Sequence, residues 1–270
     1  MSLDKNRLIK FIEYSKKYYN GLLHSWQKEV EPSLMKCKNC GHVFYKNMPT
    51  EYQLSKMYSS SVRESLIDPA RPPSKHMINT MKKMYKLINK SSPMLLDYGA
   101  GYSRWSNAAV IAGFKVVAFE PHLTRTVTSS NYTLVTDSKD LFQYDFDMIW
   151  LEQVLEHIKQ PDIMLNEISQ YMNKDTILRL SVPNINRAKE GRNIWNAWPY
   201  NGKSNHTMAP YQHLQGFNQG SLYKLVNRLG YKSYVSKTLV YTDLIYLIRF
   251  CIGEFIPKLS VTKLYLKLVR

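Results

Sequence analysis

Three cysteines in 270 residues, at positions 37, 40 and 251, are too few for a disulfide framework and fit a reducing compartment. No apolar stretch is long enough to cross a bilayer, since the late run Leu244 to Ile248 stops at Arg249. Polar residues, Asp4 and Lys5 among them, follow Met1 closely, so no secretory leader or membrane anchor is read and a cytoplasmic protein is expected. Acidic residues are scarce, 21 against 37 Lys and Arg, for a formal net charge of +16. One reading of that surplus is a polyanionic partner, either nucleic acid or an anionic membrane surface. The other is a chain rich throughout in Lys, Asn, Tyr and Ile. The basic residues form no continuous block and no recognisable RNA-binding module, so the second reading is preferred. The hydrophobic and charged fractions, 44% and 21%, exclude wholesale disorder, and the length allows one core with an appendage or two small domains.

A third glycine is also missing where it would decide a cofactor. Met94-Leu95-Leu96-Asp97-Tyr98-Gly99-Ala100-Gly101 reads as a short apolar strand running into a Gly-x-Gly turn, with a helix following from about Tyr102 to Gly113. The helix start offers unpaired N–H groups and a positive dipole end to a ligand in the turn. A dinucleotide fingerprint needs another glycine three residues on, but Arg104 stands there. Asp97, two residues before the first glycine, would repel a pyrophosphate and suits a cationic ligand. A second strand, Val116 to Phe119, likewise ends on an acid, Glu120.

Along the chain, residues 1–30 read as a basic amphipathic helix with Leu8, Ile9, Phe11, Ile12, Tyr18 and Tyr19 on its apolar side. Its preferred place is against the domain, the alternative being a membrane surface. Cys37-x-x-Cys40-Gly41 has the shape of one zinc knuckle. Structural zinc takes four ligands, only His24 and His42 are near, and Cys251 is remote. The preferred reading is half a zinc ribbon that keeps its turn without the metal. Ser74 to Asn89 is expected to be a helix whose Met77, Met81 and Met84 fill a core. Further strands are expected at Thr133 to Val135, Phe146 to Leu151, Thr176 to Val182 and Tyr231 to Val235, with helices from Pro161 to Met172 and Ser221 to Leu229. Strands alternating with helices predict a mostly parallel α/β sheet with ligands at its carboxyl edge. Residues 186–216 lack periodicity and carry Arg187, Arg192, Trp195, Trp198, Tyr200, His206, Tyr211 and His213, the pattern of a lid or acceptor-binding segment. The division expected is an N-terminal helical extension with a degenerate cysteine knuckle (1–90), a central domain (91–240) and a basic C-terminal segment completing it (241–270).

These residues resemble the class I S-adenosylmethionine-dependent methyltransferases, and more narrowly the type 23 methyltransferases with a Leu-Glu-His motif. The resemblance is carried by Leu96 to Gly101, Phe119-Glu120-Pro121, Phe146-Asp147-Met148-Ile149, Val154-Leu155-Glu156-His157-Ile158, Val182-Pro183-Asn184, and His213 with Phe217 and Gly230-Tyr231. It implies a Rossmann-like fold and S-adenosylmethionine as cofactor. Gly99 and Gly101 would line its methionine part, with Asp97 near the ammonium group. Glu120 would take both ribose hydroxyls, and Asp137 with the Ser138 backbone the adenine. Glu152 and Gln153 would lie beneath the sulfonium. His157 and His213 are the candidates for a general base, with a structural histidine on the helix after the fourth strand as the alternative for His157. The leading function is methyl transfer to a small-molecule or glycan acceptor, a sugar hydroxyl or nucleotide-linked sugar. Trp195, Trp198, Tyr200 and His206 would contact that acceptor, and Arg187 and Arg192 would hold a phosphate on it. The alternatives are an RNA methyltransferase and a non-catalytic membrane-surface or partner-binding protein on the same fold.

Overall fold

Near-continuous apolar runs are what a sheet covered on both faces requires, and here they pair into one sheet of seven strands. The computed structural model describes residues 1–59, 72–121, 131–186, 194–202, 206–234 and 261–269. The chain opens with α1 (Lys5–Tyr19) and the single turn α2 (Leu22–Ser25). The hairpin β1 (Leu34–Lys36) and β2 (Val43–Tyr45) follows, then α3 (Glu51–Ser59). Next come α4 (Lys75–Ile88), β3 (Met94–Tyr98), α5 (Arg104–Ala112), β4 (Lys115–Phe119), β5 (Thr133–Val135) and β6 (Met148–Glu152). The last elements are α6 (Pro161–Gln170), β7 (Ile177–Pro183), β8 (Gln215–Gly216), α7 (Gln219–Arg228), β9 (Tyr231–Ser233) and β10 (Val261–Leu268).

The strand order is β5-β4-β3-β6-β7-β10-β9. Neighbours from β5 to β7 are all parallel, and β10 runs antiparallel between β7 and β9. The winding therefore reverses between β3 and β6, which opens a crevice at the carboxyl ends of those two strands. Strand periodicity of two assigns the faces. Leu96, Tyr98, Ile149, Leu151, Leu178 and Leu180 join one buried cluster, while Leu95, Met148, Trp150 and Ile177 face the other way with Met77, Met81 and Met84 of α4. The expected methionine stripe is core. Ser74 caps α4 by accepting from the Met77 N–H, and Asn89 ends it in a left-handed turn. The tail past residue 260 supplies β10, so the sheet takes in the C-terminal segment. Among the described residues no helix is long and apolar enough to cross a membrane.

The N-terminal extension packs differently from a free amphipathic helix. In α1 the buried apolar side chains are Phe11, Tyr14 and Tyr19, whereas Ile9, expected on the apolar side, is exposed. They close on Leu54 and Met57 of α3 and on Tyr200, Tyr211 and Leu214 from the aperiodic segment. The hairpin does the same, since β2 pairs with β8 to make a three-stranded antiparallel sheet. Its Leu34, Val43 and Tyr45 pack on Ile185, Trp198 and Met208. The Trp198 indole N–H donates to the Tyr45 hydroxyl (2.9 Å) and the Met208 carbonyl (3.0 Å). Trp198 is 0% exposed, and Tyr200 and His206 are buried as well. The expected exposed aromatic lid is corrected on this point. These side chains are the core that joins extension to domain, because an amphipathic helix and a two-stranded hairpin cannot cover their own apolar faces.

Cys37 and Cys40 are half-buried thiols at the hairpin tip. His42, the nearest imidazole in sequence, bonds Gln215 Oε1 through Nε2 (2.8 Å) and so ties the hairpin to β8. Cys251, the run Leu244 to Ile248, Arg187 and Arg192 lie outside the described residues.

If Trp198 is core, Trp198→Ala lowers stability by about 3–5 kcal/mol, the range for truncating a buried large aromatic. Denaturant unfolding of the two proteins reads this directly. An unchanged midpoint would return the residue to the surface.

Candidate active site

The crevice is lined by acids because each of several neighbouring strands ends on one. The turn after β3 is shaped by its own hydrogen bonds. Gly99 N–H and Ala100 N–H both donate to the Phe119 carbonyl at the end of β4 (2.9 and 3.0 Å). Gly99 has φ of +78°, and a Cβ there would meet Val154 Cγ2 at 2.7 Å, so both conformation and space demand glycine. Gly101, with φ of +50°, is the opposite case: a Cβ would meet nothing within 4 Å. The turn thus packs on one side and stands open on the other.

Around it, Glu120 Oε2 accepts from the Gly101 N–H (2.9 Å). Asp137 caps the short turn that follows β5, with Oδ1 accepting from the Lys139 N–H (3.0 Å), while the Ser138 carbonyl accepts from the Tyr171 hydroxyl (3.2 Å). Asp97 lies one residue inside the end of β3 and is 3% exposed. Its carboxylate accepts from Ser106 Oγ on α5 at 2.6 Å. Burial pushes this carboxyl up to about 7, with Glu152 and Glu120 adding to the shift against the hydrogen bonds from Ser106.

At the end of β6, Glu152 is ion-paired with Arg179 and accepts weakly from Ser181 Oγ (3.3 Å). Arg179 is itself 2% exposed, with its guanidinium 3.9 Å from the centre of the Trp150 ring. Gln153 takes a left-handed backbone, φ +57°, held by its N–H to the Ser181 carbonyl (2.8 Å). A short 3-10 turn, Leu155–His157, follows. Glu156 in it is 2% exposed, and burial drives its carboxyl up to about 8, with the Glu152 charge acting in the same direction. His157 Nδ1 lies 2.8 Å from the Gln212 carbonyl and His213 Nδ1 lies 2.7 Å from the Thr207 carbonyl. A carbonyl can only accept, so each Nδ1 carries a proton and the lone pair of each neutral ring is on Nε2. The two rings meet edge to face, centres 4.8 Å apart.

The structure therefore sets Asp97, Gly99, Gly101, Glu120, Asp137, Ser138, Glu152, Gln153 and His157 at or after the carboxyl ends of β3, β4, β5 and β6, and His213, from the segment before β8, meets the His157 ring. It does not bring Trp198, Tyr200 or His206 to that edge as an exposed surface. His206 Nδ1 accepts from the Met208 N–H (3.0 Å), and the Tyr200 hydroxyl donates to the Gly202 carbonyl (2.8 Å) and accepts from Lys17 Nζ of α1 (3.0 Å). Trp195 is half-buried against the Trp198 cluster. Cys37 and Cys40 stay with the hairpin. Residues missed from the sequence are Ser106, Arg179, Ser181, Glu156 as a buried acid, and Tyr58. Burial and the charges of Tyr19, Glu156 and Glu120 raise the Tyr58 hydroxyl, and its ring centre is 6.4 Å from that of His157. Of these, Glu156 stood inside the Leu-Glu-His motif, and Arg179 showed as the one charge in β7.

Comparison with known proteins follows this geometry. A methyltransferase-domain family matches residues 75–236. No curated protein sequence matches the chain. Among solved structures, the Burkholderia thailandensis 1,6-didemethyltoxoflavin-N1-methyltransferase, with bound 1,6-didemethyltoxoflavin and S-adenosylhomocysteine, is similar with a TM-score of 0.51. It is 14% identical over 88% of this chain and 100% of its own. The plantazolicin methyltransferase BamL, in complex with a triazolic desmethylPZN analog and SAH, is similar with a TM-score of 0.52. It is 12% identical over 98% of this chain and 97% of its own. At such identities the likeness is one of fold.

A carboxyl that keeps its proton longer in the folded than in the unfolded chain stabilises the fold at low pH. That contribution is complete below the ordinary Asp value of about 4 and is lost as pH rises through the folded value. For Asp97 the folded value is about 7. Stability of the unliganded protein is thus expected to fall between about pH 4 and pH 7, and Asp97→Asn to flatten that fall. Thermal unfolding across this interval measures it. Identical slopes in both proteins would place the effect elsewhere.

Proposed function

Because the chain belongs to the type 23 methyltransferase family, enzymes that use S-adenosylmethionine, we propose that it methylates a hydroxyl of a small-molecule or glycan acceptor, a sugar or nucleotide-linked sugar. The observation that carries the donor side is the set of acids at successive strand ends around an open Gly101. Such a crevice suits a cationic ligand, and a chain of formal charge +16 has otherwise little reason to gather four carboxyls. The residues present fit the cofactor. Gly101 would leave its methionine part room, Gly99 lets the turn close on Val154, and Asp97 would supply a negative field for the ammonium group. Glu120 would offer its carboxylate to the ribose hydroxyls, Asp137 and the Ser138 backbone would meet the adenine, and Glu152 with Gln153 would lie near the sulfonium. The solved relatives that hold S-adenosylhomocysteine or SAH support this reading.

When bound, S-adenosylmethionine supplies a methyl group whose carbon–sulfur bond breaks with the electron pair going to sulfur. The chain must then align the acceptor and remove one proton. Proton removal falls to the His157 and His213 pair, whose Nδ1–H groups are fixed on backbone carbonyls and whose Nε2 atoms take the basic role. Arg179 neutralises Glu152 and keeps its carboxylate in place. With Trp198, Tyr200 and His206 in the core, contact with the acceptor passes to the His157–His213 edge and to Trp195, Arg187 and Arg192.

Glu120→Ala removes a charged acceptor worth about 1.5–3 kcal/mol, so calorimetry should show S-adenosylhomocysteine binding weaker by roughly 10- to 100-fold. Unaltered affinity removes Glu120 from the cofactor site. Wild-type protein offered nucleotide sugars, glycans and RNA should add one methyl mass to a sugar. Mass gain on RNA alone would transfer the acceptor to nucleic acid.

A further inference from the structure

We propose that Glu156, His157 and His213 form a binding site for a divalent transition-metal cation at the carboxyl end of β6. One ligand atom from each of the three residues lies within 4.8 Å of the other two. His157 Nε2 is 3.9 Å from Glu156 Oε1. Ligand atoms around a tetrahedral zinc-sized ion stand about 3.3 Å apart, from metal–nitrogen distances near 2.0–2.1 Å. The widest pair therefore has to close by at most about 1.5 Å, which side-chain rotation supplies.

Two further features are those of a built site. Each imidazole already has its Nδ1–H on a backbone carbonyl, Gln212 for His157 and Thr207 for His213. That outer contact sets the tautomer with Nε2 as the donor atom, as in metal-ligating histidines. Glu156 is the second feature. Its side chain is 2% exposed and Oε2 is buried without a hydrogen-bond partner. An acid carboxyl so placed is under-satisfied, and a cation between it and the two rings removes the deficit.

The donor set selects the metal class. Two imidazole nitrogens and one carboxylate oxygen suit zinc, iron(II), cobalt(II) or manganese(II) and leave coordination positions open. Calcium and magnesium prefer oxygen ligands. The 3-10 turn bearing Glu156 and His157 begins three residues after Glu152, which puts the cation site next in the chain to the proposed transfer site. The role of the cation rests on the hydroxyl-acceptor reading. It would bind the acceptor oxygen and lower its pKa, the hydroxyl proton passing to water. Both imidazole lone pairs are then committed to the metal, so metal-assisted loss of the proton to water takes the place of proton removal by the histidines themselves.

The test uses the full chain, stripped with chelator, and cobalt(II) as probe. Wild type is expected to take up one equivalent, read by the appearance of visible d–d absorption and by calorimetry. His213→Ala and Glu156→Gln should each weaken that uptake by more than the roughly 10- to 100-fold that loss of an outer-shell partner costs. Circular dichroism confirms that the variants fold. The pair Cys37→Ser, Cys40→Ser should leave uptake intact. No uptake by wild type, uptake indifferent to His213→Ala, or uptake abolished by the cysteine changes would each overturn the site. S-adenosylhomocysteine calorimetry on the same wild-type protein keeps the two conclusions apart. Cofactor binding without cobalt uptake removes the metal site alone, and cobalt uptake without cofactor binding removes the function instead.

Discussion

Like charges gathered in a water-poor crevice cannot all remain ionised unless something cationic answers them. Asp97, Glu120, Glu152 and Glu156 meet this constraint in four ways. Asp97 is held up near 7 beneath α5, and Glu156 near 8 in its turn. Glu152 has the buried guanidinium of Arg179, and Glu120 leans on the Gly101 N–H. Two of the four are thus primed to give up a proton to solvent when a positive charge arrives. A sulfonium cofactor with its ammonium group, and the cation proposed at Glu156, would each answer the same electrostatic problem. Arg179 shows how closely the balance is drawn: a full cation is buried against Trp150 for the sake of one of those acids.

The second organising contact is mechanical. The N-terminal extension and the segment between β7 and β8 are each incomplete alone. Phe11, Tyr14 and Tyr19 need Tyr200, Tyr211 and Leu214, and the cysteine hairpin needs Trp198, Met208 and the short strand β8. Packing them together also fixes the active edge. The carbonyls of Thr207 and Gln212, which hold the two histidine rings, belong to that same segment. His42, bonded to Gln215, anchors the hairpin to it. The joint and the two histidine rings therefore share one segment of backbone.

Much of the fold was legible in the residues alone because its signals are local. A run such as Phe146 to Leu151 can only be a covered strand, Ser74 and Asn89 mark both ends of α4, and the Gly-x-Gly turn with Asp97 and Glu120 declares a crevice at the sheet edge. The family followed from those positions. The aromatic segment was misread because its composition is the same for a lid and for an interface core. Trp198 and Tyr200 carry no periodicity that separates exposure from burial, and the partner that buries them lies more than 150 residues away, at Tyr45 and α1.

By itself the sequence determined the strand–helix alternation, the glycine turn and the acids at the strand ends, since each depends on neighbours a few positions apart. Only the tertiary structure decided which acids are buried, which histidine nitrogen is presented and which aromatics are core. Those properties come from desolvation and from hydrogen bonds between distant segments: Asp97 with α5, Glu152 with Arg179, His157 with Gln212. A carboxyl written in the chain has its ordinary acidity, and its folded acidity belongs to whatever the fold brings around it.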